Sequence, residues 1–381
     1  MNPALRQRLQ QALDARQNDG LFRRLEARAA TDARLNLADN DYLGLARDPA
    51  VVAAATEAAQ TWGASASASP LVTGYTALHE RLEQALAAWQ GYAHALVLNT
   101  GFAANAAVLG GLPKVGDVVL ADRFVHASML AGILASGAKL RRFPHNDLDA
   151  MELLLLEENP PTGVVFVVTE SVYSMDGDSP DLVRLAALRD RHGFCWVLDE
   201  AHATGWHGAT GAGLQEEQGV RAAADIVVGT LGKALGSQGA YVLAHASEVR
   251  DTLVNFAGEF IYSTYLAPSC AAAALAALDR VTELAAERPA WHALSREWRE
   301  ALAATGWAVP LGHSPIIPIV LGDAQRTLRT AQALRAAGFL VSAIRPPTVP
   351  VGTGRVRVSL RRGLTSTNLA DFLTTLKTLN V

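Results

Sequence analysis

The sequence predicts an α/β fold, in which a large, mostly parallel sheet is flanked by helices and is followed by a smaller α+β domain. Three observations support this prediction. Short apolar runs alternate with helical patterns between residues 95 and 244. Several of these runs, such as VVFVVTE at 164–170, are unbroken, which is typical of strands buried on both faces. After about residue 270 the pattern changes to long Ala/Leu/Arg helices and separate strand-like runs.

The predicted elements follow one another in a regular order. Residues 1–17 form a charged amphipathic pattern, which is typical of a helix and unlike a signal peptide. Strands are predicted at 95–99, 117–121, 164–170, 195–200, 225–230 and 240–244, and helices at 101–112, 126–137 and 181–193. Further strands are predicted at 315–321, 338–344 and 355–360. We therefore expect an N-terminal segment at 1–45, a large domain at 46–270 and a small domain at 271–381.

The composition excludes several classes of protein. The chain has 33 basic and 37 acidic side chains, a net charge of −4, and it lacks the basic stripe that a nucleic-acid-binding protein needs. Its apolar runs are all shorter than the roughly 18 residues of a membrane-spanning helix. Because Cys195 and Cys270 are the only cysteines, we expect no disulfide framework and a reducing, cytoplasmic setting.

Residues suited to chemistry follow several of the predicted strands. Ligands of parallel sheets bind beyond the carboxyl ends of the strands. One crevice should therefore collect a glycine loop, a hydroxyl, a carboxylate, an imidazole and an amine. In chain order, these residues are Gly101 and Phe102, Ser174, Asp199 and His202, and Thr230 and Lys233.

Each of these residues alone would more often be structural. A glycine can serve a turn, an aspartate can cap a helix, and most single histidines and lysines are solvated. Their shared position at strand ends favours a common site instead. Pyridoxal phosphate chemistry requires such a set, because a lysine amine binds the aldehyde, a carboxylate supports the pyridine nitrogen and a helix N-terminus binds the phosphate. A dinucleotide site would need G-x-G-x-x-G, which NTGFAANA (99–106) does not supply.

Several motifs resemble those of the α-oxoamine synthases, which are pyridoxal-phosphate enzymes with the aspartate-aminotransferase fold. In chain order they are NDYLGL (40–45), TGYTALHERLE (73–83), GFAAN (101–105), HASML (126–130), TESVYSMDGD (169–178), DEAHATG (199–205), GTLGKALGSQGA (229–240) and IYST (261–264). They extend along nearly the whole chain. Leu231 stands where some members carry phenylalanine, a difference that we expect to change little.

The resemblance implies roles for the residues around the cofactor ring. Lys233 would bind the cofactor as a Schiff base and act as acid and base at the substrate α-carbon. Asp199 would pair with the pyridine nitrogen. His202 would hydrogen-bond the phenolic oxygen of the ring, with Ser174 nearby, and His126 would stack on the ring.

The resemblance also implies how the phosphate is held and that the protein is a homodimer. Gly101, Phe102 and Thr230 would bind the phosphate of the cofactor in their own subunit. Ser263 and Thr264 would reach the phosphate in the neighbouring subunit. We therefore expect an obligate homodimer with shared active sites.

The matched substrate-binding residues include two at the C-terminal end of the chain. Arg357 would bind the amino-acid carboxylate, while Arg23, Asn40 and Thr348 would line the acyl-substrate side. The alternation in RVRVSL (355–360) places Arg355 on the same strand face as Arg357. For Arg355 we expect a solvent-exposed cation.

The substrates are indicated by two further stretches. RRFPHND (141–147) and AIRPPTVPVGTGRVRVSL (343–360) are similar to members that condense L-alanine with a pimeloyl thioester. The thioester would be carried by coenzyme A or by an acyl carrier protein. Members that condense glycine or serine with another acyl-CoA share the cofactor motifs and remain an alternative. A non-catalytic partner subunit of the same fold is a further alternative, although such a subunit would be expected to lack Lys233.

Overall fold

The structure is a computed structural model that describes residues 1–158 and 163–379. The chain forms two compact units. The large unit comprises residues 40–174 and 178–292. The small unit comprises residues 1–39, 175–177 and those from 293 onward.

The helices and strands alternate through most of the chain. The helices are α1 (Pro3–Asn18), α2 (Pro49–Trp62), α3 (Ala77–Gln90), α4 (Gly101–Gly111), α5 (Ala127–Ser136), α6 (Leu148–Glu157), α7 (Leu182–His192), α8 (Leu214–Glu217), α9 (Ser247–Phe256), α10 (Gly258–Ile261), α11 (Pro268–Glu283), α12 (Arg288–Ala304), α13 (Ala324–Ala336) and α14 (Ser366–Thr378). The strands are β1 (Leu35–Asn36), β2 (His94–Leu98), β3 (Val118–Asp122), β4 (Lys139–Phe143), β5 (Val165–Glu170), β6 (Cys195–Asp199), β7 (Ile226–Thr230), β8 (Ala240–Ala244), β9 (Ile316–Gly322), β10 (Phe339–Leu340), β11 (Ser342–Ile344) and β12 (Gly354–Ser359).

The large unit is built on a seven-stranded sheet in the order β2-β8-β7-β6-β5-β3-β4. Strands β4, β3, β5, β6 and β7 run parallel, and β8 is antiparallel to both of its neighbours. Every residue of β3, β7 and β8 is buried, as expected for unbroken apolar runs. This sheet confirms the predicted mostly parallel architecture.

The parallel strands bring their last residues to one edge of the sheet. Glu170 at the end of β5 is paired in register with Asp199 at the end of β6, and Asp199 is paired with Val228 of β7. Asp122 ends β3 and Thr230 ends β7. The polar residues that follow these strands therefore gather at the carboxyl edge.

The small unit contains an antiparallel sheet in the order β11-β12-β9 and a parallel pair of β1 with β10. The predicted strand at 338–344 is thus divided between two sheets, because β10 pairs with β1 and β11 pairs with β12. The apolar run itself does not determine which strand each of its halves pairs with.

Strand β12 corrects the prediction for Arg355. All six of its residues are buried, and Arg355 is only 4% exposed. Its guanidinium is ion-paired with Asp176 and donates a hydrogen bond to the carbonyl oxygen of Thr353 at 3.0 Å. The alternation is real, but a partly buried carboxylate partner, Asp176, replaces solvent around the guanidinium of Arg355.

The observed units divide the chain at positions different from those we expected. The large unit begins at residue 40 and continues to residue 292, whereas we placed its limits at 46 and 270. Helix α11 packs along α2 and also contacts α3, so it joins the core of the large unit. Among the residues that the structure describes, no helix combines the length and apolarity needed to cross a bilayer.

Candidate active site

Lys233 lies in a tight loop that follows β7. The backbone N–H of Gly236 donates to the carbonyl oxygen of Lys233 at 2.9 Å, and Leu231 N–H donates to the carbonyl oxygen of Gly239 at 2.9 Å. Gly236 has a φ of +61°, and a Cβ there would lie 2.2 Å from the backbone nitrogen of Ala46. Glycine is therefore required beside this lysine because the chain doubles back against another backbone segment.

Asp199 is held at the carboxyl edge by two hydrogen-bond donors. It is 7% exposed. Its Oδ2 accepts from Asn105 Nδ2 at 2.8 Å, and its Oδ1 accepts from the backbone N–H of Ala201 at 2.8 Å. These two hydrogen bonds fix the orientation of the Asp199 carboxyl group.

A hydrogen-bond chain connects Asp199 to His126. Asn105 Nδ2 also donates to Ser128 Oγ at 3.1 Å, and Ser128 Oγ lies 2.7 Å from His126 Nδ1. Asn105 lies in α4 and is 3% exposed, while Ser128 in α5 is fully buried. This chain fixes the ring of His126 relative to the carboxylate that ends β6.

His126 shares its electrostatic surroundings with Lys233 and Asp199. The protein around the imidazole lowers the pKa of His126, the charge of Asp199 opposes that change, and the charge of Lys233 adds to it. The structure thus brings together three of the residues that we predicted for the site.

His202 follows β6 and is 6% exposed. Its Nδ1 lies 2.6 Å from the hydroxyl oxygen of Tyr42, and that hydroxyl donates to Asn40 Oδ1 at 3.1 Å. His202 and Asn40, which we placed on the ring side and on the acyl side of the site, are therefore connected through one tyrosine. Ser174 is also buried, at 9% exposure, after the end of β5.

The predicted phosphate-binding residues lie at the start of α4 and the end of β7. Gly101 and Phe102 are the first two residues of α4, and Thr100 caps this helix by accepting from Ala103 N–H at 3.1 Å. Thr230 Oγ1 accepts from Gly232 N–H at 3.2 Å. The remaining N–H groups of the first turn of an eleven-residue helix are suited to an anion.

Thr264 lies close to the segment that leads into α4. Its carbonyl oxygen accepts from Asn99 Nδ2 at 2.6 Å, and its side chain is exposed, while that of Ser263 is partly exposed. The role of both residues toward a neighbouring subunit stays a prediction.

The other predicted substrate residues lie in the small unit. Arg23 Nη2 donates to Thr348 Oγ1 at 3.0 Å, and both residues line a groove of about 1030 Å³. Six arginines line this basic groove, against only two acidic side chains: Arg23, Arg24, Arg28, Arg34, Arg335 and Arg345, with Glu26 and Asp39. Arg357 in β12 is 5% exposed and donates to Ser359 Oγ at 3.2 Å.

Sequence analysis missed three residues that organise the site. They are Tyr42, Asn105 and Ser128, and each lies within a motif that we recognised. Asn105 offered a signal, since it is the one polar side chain in the apolar helix GFAANAAVLGG. A polar side chain on a buried helix face needs a partner, although its partner could not be named from the sequence.

Comparison with known proteins identifies the family. The model of the aminotransferase class I and II family matches residues 33–376. An 8-amino-7-oxononanoate synthase of Anaeromyxobacter dehalogenans is 44% identical over 375 residues, which cover 96% of this chain and 93% of that protein. The chain belongs to the 8-amino-7-oxononanoate synthase branch of the class I and II aminotransferases. The synthase of Photobacterium profundum is 39% identical and covers 98% of this chain and 97% of its own.

Solved structures of related enzymes confirm the predicted fold. A serine palmitoyltransferase of S. paucimobilis with bound PLP–myriocin has a TM-score of 0.90 and 27% identity, covering 98% of this chain and 97% of that one. An 8-amino-7-oxononanoate synthase of Francisella tularensis has a TM-score of 0.79 and 27% identity, covering 92% and 98%. The resemblance to the α-oxoamine synthases is therefore confirmed in both sequence and fold.

Proposed function

We propose that this protein condenses L-alanine with a pimeloyl thioester, releasing CO2 and the free thiol, to form 8-amino-7-oxononanoate in biotin synthesis. It is thus an acyltransferase, as its relatives at 39–44% identity support. The observation that carries this proposal is the arrangement at the carboxyl edge of the large sheet. Lys233 lies beyond β7, Asp199 ends β6, and a hydrogen-bond chain leads from Asp199 to His126.

The residues at this edge fit pyridoxal phosphate. Asp199 offers a carboxylate to a pyridine nitrogen, Lys233 offers an amine to an aldehyde, and the first turn of α4 offers donors to a phosphate. Two buried oxygens, Glu170 Oε1 and Asn105 Oδ1, have no hydrogen-bond partner among the described residues. Such unsatisfied atoms suit a site that a polar ligand completes. When bound, the cofactor supplies an electron sink beside the substrate α-carbon.

The side chains around this site divide the work of proton transfer and orientation. Lys233 Nζ, as a neutral amine, takes the proton from the α-carbon of alanine and later returns one. General acid–base catalysis of this kind typically contributes about 10²- to 10⁴-fold in rate. Asp199, held in place by the side chain of Asn105 and the backbone N–H of Ala201, would pair with the ring nitrogen of the cofactor. His126, fixed through Ser128, would stack on the cofactor ring and shield it from water.

Three of the predicted substrate residues have side chains suited to the two substrates. Arg357 presents a planar guanidinium that can bind the alanine carboxylate through two parallel hydrogen bonds. The basic groove that contains Arg23 and Thr348 suits the acyl donor, because coenzyme A and the phosphopantetheine arm of an acyl carrier protein both carry phosphate. Arginine is the side chain best matched to that group.

A homodimer in the cytoplasm completes the proposal. The exposed side chain of Thr264, with Ser263 beside it, supports a contribution to the neighbouring subunit. Mixing the inactive variant Lys233→Ala with an inactive Thr264→Ala/Ser263→Ala variant should restore part of the activity, since mixed dimers contain one intact site. A fully active monomer in sedimentation at assay concentration contradicts the shared site.

Product analysis tests the reaction itself. The protein, loaded with pyridoxal phosphate, is mixed with L-alanine and pimeloyl-CoA, and 8-amino-7-oxononanoate is sought by mass spectrometry, with Lys233→Ala as the control. The TM-score of 0.90 to a serine palmitoyltransferase favours a second candidate. A parallel reaction with L-serine and palmitoyl-CoA distinguishes the two, and turnover of this pair alone overturns the alanine reaction.

A further inference from the structure

His145 is hydrogen-bonded to two carboxylates at once. Its Nδ1 lies 2.9 Å from Asp122 Oδ1, and its Nε2 lies 2.9 Å from Asp178 Oδ2. The Asp122 side chain is fully buried, that of His145 is 18% exposed, and that of Asp178 is 29% exposed. With a carboxylate oxygen on each ring nitrogen, both nitrogens act as donors, which is possible only for the protonated imidazole.

The surroundings of His145 favour its positive charge. Although burial pulls the pKa of His145 down, Asp122 and Asp178 together raise it to about 10. Two aromatic side chains also pack against the imidazole. The edge of Tyr173 meets it at a centroid distance of 4.4 Å, and Phe124 packs against it at 4.6 Å. The phenol of Tyr173 stays neutral because burial, with the charge of Asp122 adding to it, raises its pKa well above the usual value.

The two carboxylates belong to the loops that present the predicted cofactor residues. Asp122 ends β3, four residues before His126. Asp178 lies four residues after Ser174, and its backbone carbonyl accepts from Tyr173 N–H at 3.0 Å. His145 itself lies in a third loop, between β4 and α6.

Asp122 reinforces these connections through its second oxygen and its own loop. Its Oδ2 accepts from the backbone N–H of Asn146 at 2.8 Å, and its Oδ1 also accepts from Phe124 N–H at 2.7 Å. Asn146 Nδ2 in turn donates to Asp178 Oδ2 at 3.1 Å. The Asp122–His145–Asp178 cluster therefore joins three loops at the carboxyl edge of the sheet.

We propose that His145 is a positioning residue for the cofactor site: its protonated imidazole holds the loop that carries His126 and the loop that carries Ser174 in register with each other. This role rests on the proposed function, in which His126 is assigned to the cofactor ring, and on the family resemblance, which places Ser174 near the same ring. His145 does not touch the reacting atoms in this role. It acts through its two carboxylate partners, each bound by a charge-assisted hydrogen bond.

The chain provides a matched control for this proposal. His192 Nε2 lies 2.9 Å from Glu152 Oε1, and the His192 side chain is 17% exposed. This pair connects α7 with α6, and the His192 side chain has nearly the same exposed fraction as that of His145, which is 18%. His192 contacts only one carboxylate in this pair, and the two helices that it connects carry none of the predicted cofactor residues.

The test compares cofactor binding by the wild type, His145→Gln, His145→Arg, Asp178→Asn and His192→Gln. Each apo-protein is titrated with pyridoxal phosphate to obtain Kd, and visible circular dichroism of the bound cofactor reports the orientation of its ring. His145→Gln should raise Kd about ten-fold, which corresponds to the loss of roughly one charge-assisted hydrogen bond. It should also change the visible dichroism. His145→Arg, which keeps the charge and offers two donors, should recover part of the affinity, and His192→Gln should match the wild type.

The outcomes separate this role from the proposed function. A wild type that binds no cofactor overturns both. A wild type that binds, together with a His145→Gln variant of unchanged dichroism and a Kd within about two-fold, overturns the role of His145 alone. If His145→Gln does not fold, Asp178→Asn decides, because it breaks only the more exposed half of the cluster. Unchanged binding by that variant, or an equal loss in His192→Gln, contradicts the proposal.

Discussion

Removal of the Asn105 side chain is the sharpest test of how the site is organised. Asn105→Ala deletes the donor that lies 2.8 Å from Asp199 Oδ2 and the donor that lies 3.1 Å from Ser128 Oγ. The first is a hydrogen bond to a charged group in a site that is 93% or more buried on both sides. A bond of this kind contributes about 1.5–3 kcal/mol.

The expected result is weaker binding of the cofactor. If Asp199 pairs with the pyridine nitrogen as proposed, that free energy appears as a Kd for pyridoxal phosphate raised roughly 10- to 150-fold.

The assay is a titration of apo-protein with pyridoxal phosphate, monitored by absorbance. Asn255→Ala is the matched control, since Asn255 is an exposed helical asparagine that donates to the carbonyl oxygen of Asp251 at 2.8 Å. Far-ultraviolet circular dichroism of the apo-proteins shows whether either variant disturbs the fold. A Kd for folded Asn105→Ala equal to that of Asn255→Ala refutes the reasoning, because Asp199 would then not depend on this donor.

Three further predictions concern other parts of the molecule. Borohydride reduction of the cofactor-loaded protein should attach the cofactor to the peptide that contains Lys233, and peptide mapping that finds the label on another lysine would overturn this assignment. Arg357→Lys keeps the charge but loses the geometry that allows two parallel hydrogen bonds. Steady-state kinetics should therefore show a raised KM for alanine and little change in the KM for the acyl thioester. Thr348→Ala should instead raise the KM for the acyl thioester and change that for alanine little. Because the folded-state pKa of His145 is raised to about 10, its contribution to the free energy of unfolding is fully present below the ordinary pKa of about 6.5 and is lost as the pH rises to about 10. Denaturant unfolding of the apo-proteins should therefore show that the difference in free energy of unfolding between the wild type and His145→Gln shrinks across that range. A difference that stays constant would mean that His145 is neutral.

Much of the fold could be predicted because the signals are local. The unbroken apolar runs at 164–170 and 225–230 became β5 and β7, buried in the middle of the sheet. The helix predicted at 181–193 ends at Gly193, which adopts a φ of +70°. Hydrophobic periodicity and a glycine stop depend on neighbours in the chain, so they can be seen without tertiary information.

The run at 338–344 shows the limit of prediction from local sequence signals. Its periodicity indicates extended chain, and β10 and β11 are extended. Which strand each half pairs with depends on other segments of the chain: residues 35–36 for β10 and residues 355–357 for β11. The exposure predicted for Arg355 was wrong for the same reason, since Asp176 comes from a segment about 180 residues away in the chain.

The sequence by itself determined the fold class, the family and the lysine, carboxylate and imidazole at the strand ends, because each is encoded in a short, contiguous pattern. Only the tertiary structure decided how those groups are held. Asn105 and Asp199 are 94 residues apart in the chain, and Tyr42 and His202 are 160 apart. Hydrogen bonds over such separations exist only once the order of the strands has been set. The side chains that orient the site therefore become visible only in the folded protein.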